Sequence, residues 1–338
     1  MNYWQVAAGD GERDYSGVFI KFGVMLVGSG NPGDYFENKD TYKKHRWGGQ
    51  VRAFAKEAQD GDVVVLKKPS KKKRWQVLAV GKVKGEYQYL SVFDDVEGWD
   101  LQHCRIVEWF LPKDKEVISG LARGTFRRIY NKDAVQQISQ VLQSGSEISP
   151  ERLPETVPGL SDEDLINRLI NNGLRPKDAE DLTQTIARIR RLVRWYWNYG
   201  ANVKEHETRA FLILPLLFAL GWSEQRLKIE WKATDISFFD RPYNRKNKDP
   251  RNCIMILESK RFWGGLNYAE GQVKKYAKDF PNCRHLIVSD GCCYKLFRRE
   301  DNEWIYGAYL NILKPRSRHP YEVERGGAQD VFLSLMPK

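Results

Sequence analysis

The segment Ile254–Lys260, IMILESK, decides how the C-terminal half of this chain is interpreted. Its four apolar residues predict a buried strand that ends in Glu258-Ser259-Lys260. Strand side chains alternate between the two faces of a sheet, so Glu258 and Lys260 are expected to project to one side, with Ser259 turned away. The segment therefore predicts a carboxylate and an ammonium group side by side at a strand end.

Residues on either side of this segment extend the prediction. Asp235 lies on an earlier predicted strand and supplies a second carboxylate. Two carboxylates beside a lysine are typical of a site for a hard divalent cation and an activated water. Gln272 and Tyr276 follow four residues apart on a predicted helix, so they share one face. The pattern indicates a metal-dependent hydrolytic centre.

Composition limits the classes of protein to consider. The chain has 338 residues, long enough for two domains, with 41% hydrophobic residues and a formal net charge of +11. A basic balance favours a polyanionic partner such as nucleic acid. No basic amphipathic helix or lipidation signal supports binding to a phospholipid surface.

The cellular location of the protein and the redox state of its cysteines are predicted from sequence signals that the chain lacks. No apolar run is long enough to span a membrane, and the N-terminus lacks the pattern of a signal peptide. Five cysteines without a Cys-x-x-Cys pair indicate reduced thiols, and five scattered histidines argue against a zinc site. A bacterial or archaeal cytoplasmic protein, without a membrane partner, is expected.

The N-terminal part is predicted to form a compact β-barrel with one or two helices. Strands are expected at residues 3–8, 18–27, 63–66, 76–83, 87–92 and 104–110, and a helix at residues 50–59. Residues 28–33 are glycine-rich. They lack the following Lys-Ser/Thr of a phosphate-binding loop, so a tight turn at the barrel rim is the better interpretation.

Four short segments in this part carry a family resemblance: Tyr3–Val6, Asp62–Leu66, Leu78–Val83 and Arg105–Trp109. They look like the EVE branch of the PUA-like fold, and the likeness covers roughly residues 2–130. The resemblance implies a reader domain that holds a modified, flipped base between aromatic walls.

Several residues are candidates for the walls of that pocket. The aromatic candidates are Trp4, Trp47, Trp75, Tyr87, Trp99 and Trp109. Core burial is the alternative for each of them. Trp47 and Trp99 are the first choices because they stand beside glycines in predicted loops, where ligand contacts are common. Asp94 is a candidate acceptor for a base amino group, with surface charge as the alternative.

Two basic segments are candidate contacts for a DNA backbone. The first comprises Lys71, Lys72, Lys73 and Arg74 between two predicted strands, and its alternative is a solvated hairpin tip. The second is a predicted helix from Pro176 to about residue 198, which carries Arg190 and Arg191. Its arginines spread around the helix, so some are expected to be solvated.

The C-terminal part resembles the N-terminal nuclease domain of type I restriction subunits, a branch of the PD-(D/E)XK superfamily. The matching segments are Glu205–Arg209, Leu212–Leu217, Leu220–Trp222, Asp235, Glu258–Lys260 and the pair Gln272 and Tyr276. The likeness covers about residues 200–338. Neither Asp235 nor Glu258 follows the proline of the superfamily's name, a departure that is frequent in this branch.

This second resemblance implies the roles of the residues. Asp235 and Glu258 would coordinate Mg²⁺, with the Ser259 carbonyl as a further ligand. Lys260 would orient or deprotonate the attacking water, and Glu205 would meet a second ion or a metal-bound water. Gln272 and Tyr276 would fix the site or touch DNA.

Together these features predict a two-domain protein of the α+β or α/β class. A PUA-like (EVE) β-barrel with helices is expected over residues 1–140, and a linker with connecting helices over residues 141–200. A PD-(D/E)XK restriction-endonuclease-like α/β core with a mixed sheet is expected over residues 201–338.

The leading functional hypothesis is a modification-dependent (type IV-like) restriction endonuclease that cuts double-stranded DNA, as a homodimer or a transient dimer. One alternative is a nuclease of a defence system directed at RNA or tRNA. The other is a non-catalytic DNA-binding subunit of a restriction complex.

Overall fold

The computed structural model describes residues 1–69, 75–114, 116–200, 202–243 and 249–337, and divides them into two compact units. The N-terminal unit spans Met1–Glu155 and the C-terminal unit Thr156–Lys338. The chain is of mixed α+β class, with a curled half-barrel sheet and a second mixed sheet, as the sequence predicts at this coarse level. The boundary between the units falls inside the segment at 144–159, which is rich in Ser, Pro and Glu.

The N-terminal unit is built on one curled sheet. Its strands are β1 (Tyr3–Ala7), β2 (Val24–Val27), β3 (Val63–Pro69), β4 (Trp75–Tyr89), β5 (His103–Leu111), β6 (Val117–Ile118), β7 (Phe126–Arg128) and β8 (Ser146–Glu147). Their order is β2-β5-β4-β3-β1-β7, with β6 paired to β4 and β8 to β5. Strands β1 and β3 are parallel, whereas β3 and β5 each pair antiparallel with β4.

Short helices accompany this sheet. They are α1 (Ser16–Lys21), α2 (Lys39–Lys44), α3 (Gly48–Arg52), a π-helical turn at Ala53–Glu57, a 3-10 turn at Ser91–Phe93 and α4 (Lys132–Ser144). The sequence prediction of a strand over residues 18–27 is wrong for its first part, because Ser16–Lys21 is helical and the strand begins at Val24. A short apolar run does not by itself distinguish a buried helix turn from a strand.

The C-terminal unit contains a six-stranded sheet in the order β14-β13-β12-β11-β10-β9. The strands are β9 (Leu227–Trp231), β10 (Thr234–Phe239), β11 (Cys253–Ser259), β12 (His285–Ser289), β13 (Cys293–Glu300) and β14 (Glu303–Asn311). Strands β11 and β12 are parallel, and the other neighbouring pairs are antiparallel. A parallel pair needs a crossover connection, which here carries a helix.

The helices of this unit are α5 (Asp162–Asn171), α6 (Pro176–Tyr199), α7 (Glu205–Thr208), α8 (Leu214–Ala219), α9 (Asn267–Tyr276) and α10 (Ala328–Leu335). A π-helical turn at Arg209–Ile213 joins α7 to α8, and 3-10 turns lie at Glu224–Arg226, Pro250–Asn252 and Ala277–Asp279. Helix α6 begins at a proline and ends before Gly200, whose φ of 60° suits a left-handed helix cap. Helix α9 lies in the crossover between β11 and β12.

An extended apolar core supports the C-terminal sheet. It includes Leu212, Leu216, Ile256, Leu257 and Val288, each fully buried. The cysteines of the chain are all free thiols and all buried: Cys104, Cys253, Cys283, Cys292 and Cys293. Within the described ranges, none of the helices combines the length and apolar character that a membrane crossing requires.

Candidate active site

Strands β10 and β11 bring the first acid of the candidate site to the end of the IMILESK segment. Ile236 pairs with Leu257, which places Asp235 beside the end of β11. The Asp235 carboxylate accepts hydrogen bonds from the Ser259 backbone N–H at 2.7 Å and from its hydroxyl at 2.8 Å. Ser259 therefore anchors Asp235 through both its backbone and its side chain.

Glu258, Lys260, Gln272 and Tyr276 form one continuous hydrogen-bonded chain. The Lys260 ammonium donates to Glu258 Oε1 at 2.8 Å and to Gln272 Oε1 at 3.4 Å. Gln272 Nε2 in turn donates to the Tyr276 hydroxyl at 3.0 Å. Strand alternation and helix periodicity thus bring together the four side chains that the sequence grouped.

Arg209 supplies a buried positive charge that the sequence analysis did not assign to the site. Its guanidinium donates to Asp235 Oδ1 at 2.7 Å and to Glu230 at 2.9 Å, and the residue is only 7% exposed. The available signal was the Thr-Arg pair that closes the segment Glu205–Arg209, which the sequence analysis used only as part of a family resemblance. Asp235 is consequently held between a serine and an arginine.

The acids of the site interact with one another through their charges. Burial raises the pKa of Glu258 to about 6; the hydrogen bond from Lys260 opposes this, and the charges of Asp235 and Glu205 add to it. Burial also raises the pKa of Glu205, and the negative charge of Asp235 raises it further. Like charges that converge in a partly buried site raise one another's pKa, and the nearby Lys260 and Arg209 oppose this effect at Glu205.

The Lys260 side chain is positively charged, because its surroundings favour the protonated form. Burial alone lowers the pKa of a lysine, but the hydrogen bond to Glu258 and the charges of Glu258, Glu205 and Asp235 outweigh it and raise the Lys260 pKa above its usual value. The side chain is thus an ammonium ion in the metal-free site.

The candidate donors are carboxylate oxygens, the type of ligand that Mg²⁺ prefers, and Mg²⁺ also retains several waters. Asp235 and Glu258 offer carboxylate oxygens at neighbouring strand ends, and Arg209 and Lys260 occupy part of their hydrogen-bonding capacity. Within the described ranges, no three His, Cys, Asp or Glu side chains are grouped closely enough to hold a metal by themselves. A cation here would take its other ligands from backbone, water and substrate.

An aromatic cluster follows directly after Lys260. Trp197 at the end of α6 packs edge-to-face on Trp263 with ring centroids 5.0 Å apart, and it also meets Phe262 at 6.2 Å. Phe262 is buried, whereas Trp197 is 40% exposed. The sequence analysis did not single out these residues, although three aromatic side chains occur within the segment Trp195–Trp197.

In the N-terminal unit, the two preferred pocket candidates differ in exposure. Trp47 is 46% exposed, and the Arg46 guanidinium lies over its ring, 4.9 Å from the ring centroid. Trp99 is half-buried, with the Arg13 guanidinium 4.7 Å from its ring. The Trp99 indole nitrogen is buried and has no hydrogen-bond partner among the described residues. Asp94 is half-buried beside the turn Ser91–Phe93.

The other tryptophan candidates are held by internal contacts. Trp4 and Trp109 are each 1% exposed, so they belong to the core and are excluded as surface walls. Trp4 donates to Asp62 at 2.8 Å and stacks on Phe126. Trp75 donates to the Leu121 carbonyl at 3.0 Å, and the Lys67 ammonium lies 3.4 Å from its ring centroid.

Tyr87 belongs to a polar aromatic cluster that the sequence did not reveal. Its hydroxyl lies 2.8 Å from His103 Nδ1, and the Tyr42 hydroxyl lies 2.8 Å from His103 Nε2. The Tyr89 ring contacts the same imidazole edge-on. Burial lowers the pKa of His103, so the imidazole is neutral at physiological pH. A lone histidine gave no sequence signal, because its partners are distant in the chain.

The residues predicted to contact a DNA backbone differ in where the structure places them. Lys71, Lys72, Lys73 and Arg74 lie outside the described residues. Arg190 makes a two-pronged ion pair with Asp162 at 2.5 and 2.7 Å and donates to the Ile312 carbonyl, so its guanidinium is engaged within the C-terminal unit. Arg191 is exposed.

Comparisons with known proteins add limited information. A model of a domain of unknown function (DUF8426) matches residues 4–131, and no curated protein matches the chain. Among solved structures, the chain is similar to the X-ray crystal structure of protein Atu2648 from Agrobacterium tumefaciens, at 13% identity and a TM-score of 0.25. That match covers 46% of this chain and 100% of the other, and the score is too low to assign a fold or a function.

Proposed function

We propose that this protein is a modification-dependent endonuclease, with a PD-(D/E)XK-type centre in its C-terminal unit and a reader of modified bases in its N-terminal unit. The observation that carries the proposal is the cluster of Asp235, Glu258, Lys260, Gln272 and Tyr276 in one connected site. Each member alone is a common residue, but acids, ammonium and amide in this arrangement suit phosphodiester hydrolysis.

The chain's own residues have separable roles in this proposal. Asp235 and Glu258 would hold Mg²⁺, with the Ser259 carbonyl as a further ligand. When bound, the cation supplies positive charge to a phosphate and a more acidic water. Lys260, whose ammonium donates to Glu258, would orient or deprotonate the attacking water and stabilise the negative charge of the transition state.

The remaining groups keep that lysine in place. Gln272 accepts a hydrogen bond from Lys260 and is itself anchored by Tyr276, which limits the motion of the ammonium group. Precise positioning of a charged donor contributes to catalysis because no reorganisation is then needed during the reaction. Glu205 adds a further carboxylate near Asp235 for water or a second ion.

Nucleic acid is the substrate class that the charge and the reader favour. The net charge of +11 suits a polyanion, and the exposed Trp47 offers a flat face for a base. Cutting both strands of a duplex requires two active sites, so a homodimer or a transient dimer on DNA is part of the proposal.

The deciding experiment compares cleavage of matched DNA duplexes that carry unmodified, methylated, hydroxymethylated or glucosylated bases. The full chain is incubated with each duplex in Mg²⁺ and in EDTA. Mg²⁺-dependent cutting of one modified class is expected, and Lys260→Ala should reduce it by about 10²-fold or more. Equal cutting of all duplexes, or of none, would contradict the proposal. Preferential cutting of RNA would favour the RNA-directed alternative.

A further inference from the structure

A basic groove lies in the C-terminal unit between helix α9 and the hairpin formed by β13 and β14. Its volume is about 380 Å³. The side chains that shape it include Lys274, Lys275, Lys278, Arg299, Asn302 and Trp304. The lining residues contain four cations, one amide and one indole, and no carboxylate. Such a lining suits a polyanion that also has a flat, apolar component.

Part of the groove is held rigid by internal contacts. Arg299 donates to the Pro281 carbonyl at 2.8 Å and to Asn302 Oδ1 at 3.1 Å, and Lys274 pairs with Glu270 at 2.7 Å. The Lys274–Glu270 pair is partly exposed on a helix surface, where such pairs contribute little stability. Lys274 can therefore exchange its carboxylate for a phosphate at little cost.

Other cations of the groove face water. Lys275 and Lys278 are both exposed. Ammonium groups in this setting bind phosphates by releasing counterions, which gives affinity without sequence preference.

The groove shares its helix with the candidate active site. Helix α9 presents Gln272 to Lys260, and Lys275 follows Gln272 by three residues, which places the two side chains on adjoining parts of the helix surface. A strand whose phosphate lies at Lys260 would therefore lie beside the helix that carries Lys274 and Lys275.

Trp304 gives the groove a second chemical feature. Its ring is half-buried, and the Arg299 guanidinium lies 5.9 Å from its centroid. An indole inside a cationic groove is the combination used by proteins that bind single strands, because any base can stack on the ring while the backbone contacts the cations.

We infer that this groove holds the sugar-phosphate backbone of an unpaired nucleic-acid segment next to the bond to be cut, with one base against Trp304. The inference rests on the proposed nuclease function for its meaning, but binding at the groove is measurable without cleavage. It places the unpaired segment beside the catalytic lysine.

The test measures the affinity of the full chain for a fluorescent 20-nucleotide single strand and for the matched duplex, in EDTA, over a range of salt concentrations. In Lys275→Gln/Lys278→Gln, the slope of log affinity against log salt should decrease by roughly 1.4 for the single strand. Lys132→Gln/Lys177→Gln is the matched control, since both lysines are exposed in first helical turns outside the groove. The control should keep the wild-type slope.

Two further measurements identify the occupant. Trp304→Leu should weaken single-strand binding about tenfold and duplex binding less. Single strands that contain 5-iodouracil should crosslink to the segment around Trp304 on irradiation, which a merely structural tryptophan would not do. Thermal midpoints within a few degrees of wild type show that the variants are folded. A poly-glutamate peptide that competes as well as DNA would overturn the inference.

The outcomes separate this inference from the proposed function. A reduced salt slope in Lys275→Gln/Lys278→Gln, together with a wild-type protein that cuts no nucleic acid, would support the groove and contradict the nuclease proposal. Normal cleavage with unchanged slopes would overturn the groove and leave the nuclease proposal standing.

Discussion

Arg209 is an internal counter-charge for Asp235. The guanidinium is nearly buried and bonds both Asp235 and Glu230. A buried arginine of this kind stabilises the acid when no cation is present, and it also competes with a cation for the same oxygens. Arg209 is therefore expected to affect both the stability of the unit and the strength of the proposed metal binding.

Replacement of Arg209 by methionine should expose this dual effect. In EDTA, Arg209→Met is expected to lower the free energy of unfolding on the order of 3 kcal/mol, because Asp235 loses its charged partner and keeps only the hydrogen bonds from Ser259. Mg²⁺ should then restore part of the loss by binding the folded state. Thermal unfolding with and without Mg²⁺ checks this: the Mg²⁺-induced rise in midpoint should be larger in the variant than in wild type. An equal rise in both proteins would contradict the prediction.

Glu258 should make stability depend on pH. Its pKa is raised from 4.5 to about 6, so the folded state holds the proton more tightly than the unfolded state does. The resulting stabilisation is complete below pH 4.5 and is lost as the pH rises through about 6, a change of roughly 2 kcal/mol. Urea unfolding in EDTA should show that Glu258→Gln gains about that much stability relative to wild type between pH 4.5 and 7. A difference independent of pH would contradict the assignment.

At the residue scale, local spacing predicted much of the site and distant pairing did not. The i, i+2 relation of Glu258 and Lys260 and the i, i+4 relation of Gln272 and Tyr276 follow from strand and helix geometry. The anchoring of Asp235 by Ser259 depends on the register of β10 against β11, which no local pattern specifies. The role of Arg209 was missed for the same reason.

At the element scale, the start of the α7–α8 segment packs on the turn after β12. Gly291 in that turn has a φ of 82°, and a Cβ there would lie 2.6 Å from Leu212 Cβ and 3.0 Å from Thr208. Both contacts belong to the segment that also carries Glu205 and Arg209. The absence of a side chain at Gly291 therefore determines how closely this segment approaches the sheet.

Gly291→Ala should destabilise the protein by more than about 2 kcal/mol, since it adds overpacking to an unfavourable φ. Gly173→Ala is the matched control: its φ is 105°, but its Cβ would meet no atom within 4 Å. The control should lose only about 1 kcal/mol. Chemical denaturation measures both losses. Under conditions where both variants are folded, only Gly291→Ala should reduce the proposed nuclease activity. An equal loss of unfolding free energy in Gly291→Ala and Gly173→Ala would contradict the prediction that Gly291 is required for close packing.

Helices and strands with strong terminal signals were predictable, and short apolar ones were not. Helix α6 begins at Pro176 as predicted and ends at Tyr199, one residue beyond the predicted end. Helix α5 begins after Ser161, whose hydroxyl accepts a hydrogen bond from the Asp164 backbone N–H, and a serine with an acid three residues later is a local sequence signal for a helix start. Residues 18–21 were predicted as strand because the six helical residues of Ser16–Lys21 are too few to display a helical period.

At the scale of the whole molecule, the chain has two compact units with separate candidate sites. The proposed reader and the proposed cleavage centre should therefore fail independently. The exposed Trp47 is the cleaner probe of the reader, because removing an exposed ring costs little stability, whereas Trp99 is half-buried in contact with Tyr15.

Trp47→Ala should reduce the preference for the modified duplex at least about tenfold while preserving Mg²⁺-dependent cutting of DNA at high enzyme concentration. Lys260→Ala should do the reverse, abolishing cutting while preserving preferential binding. Parallel binding and cleavage assays on the same duplexes measure both. Loss of both properties in either variant would show that the two activities are not separable.

The five buried cysteines have a practical consequence for studying these units. Burial raises the pKa values of Cys104, Cys253 and Cys283, so their sulfurs remain thiols that reagents reach poorly in the folded protein. A cysteine introduced on the surface of each unit should therefore take up a maleimide dye almost alone. Single-molecule energy transfer between two such dyes would then report the distance between the units, free and on DNA, without removal of any native cysteine.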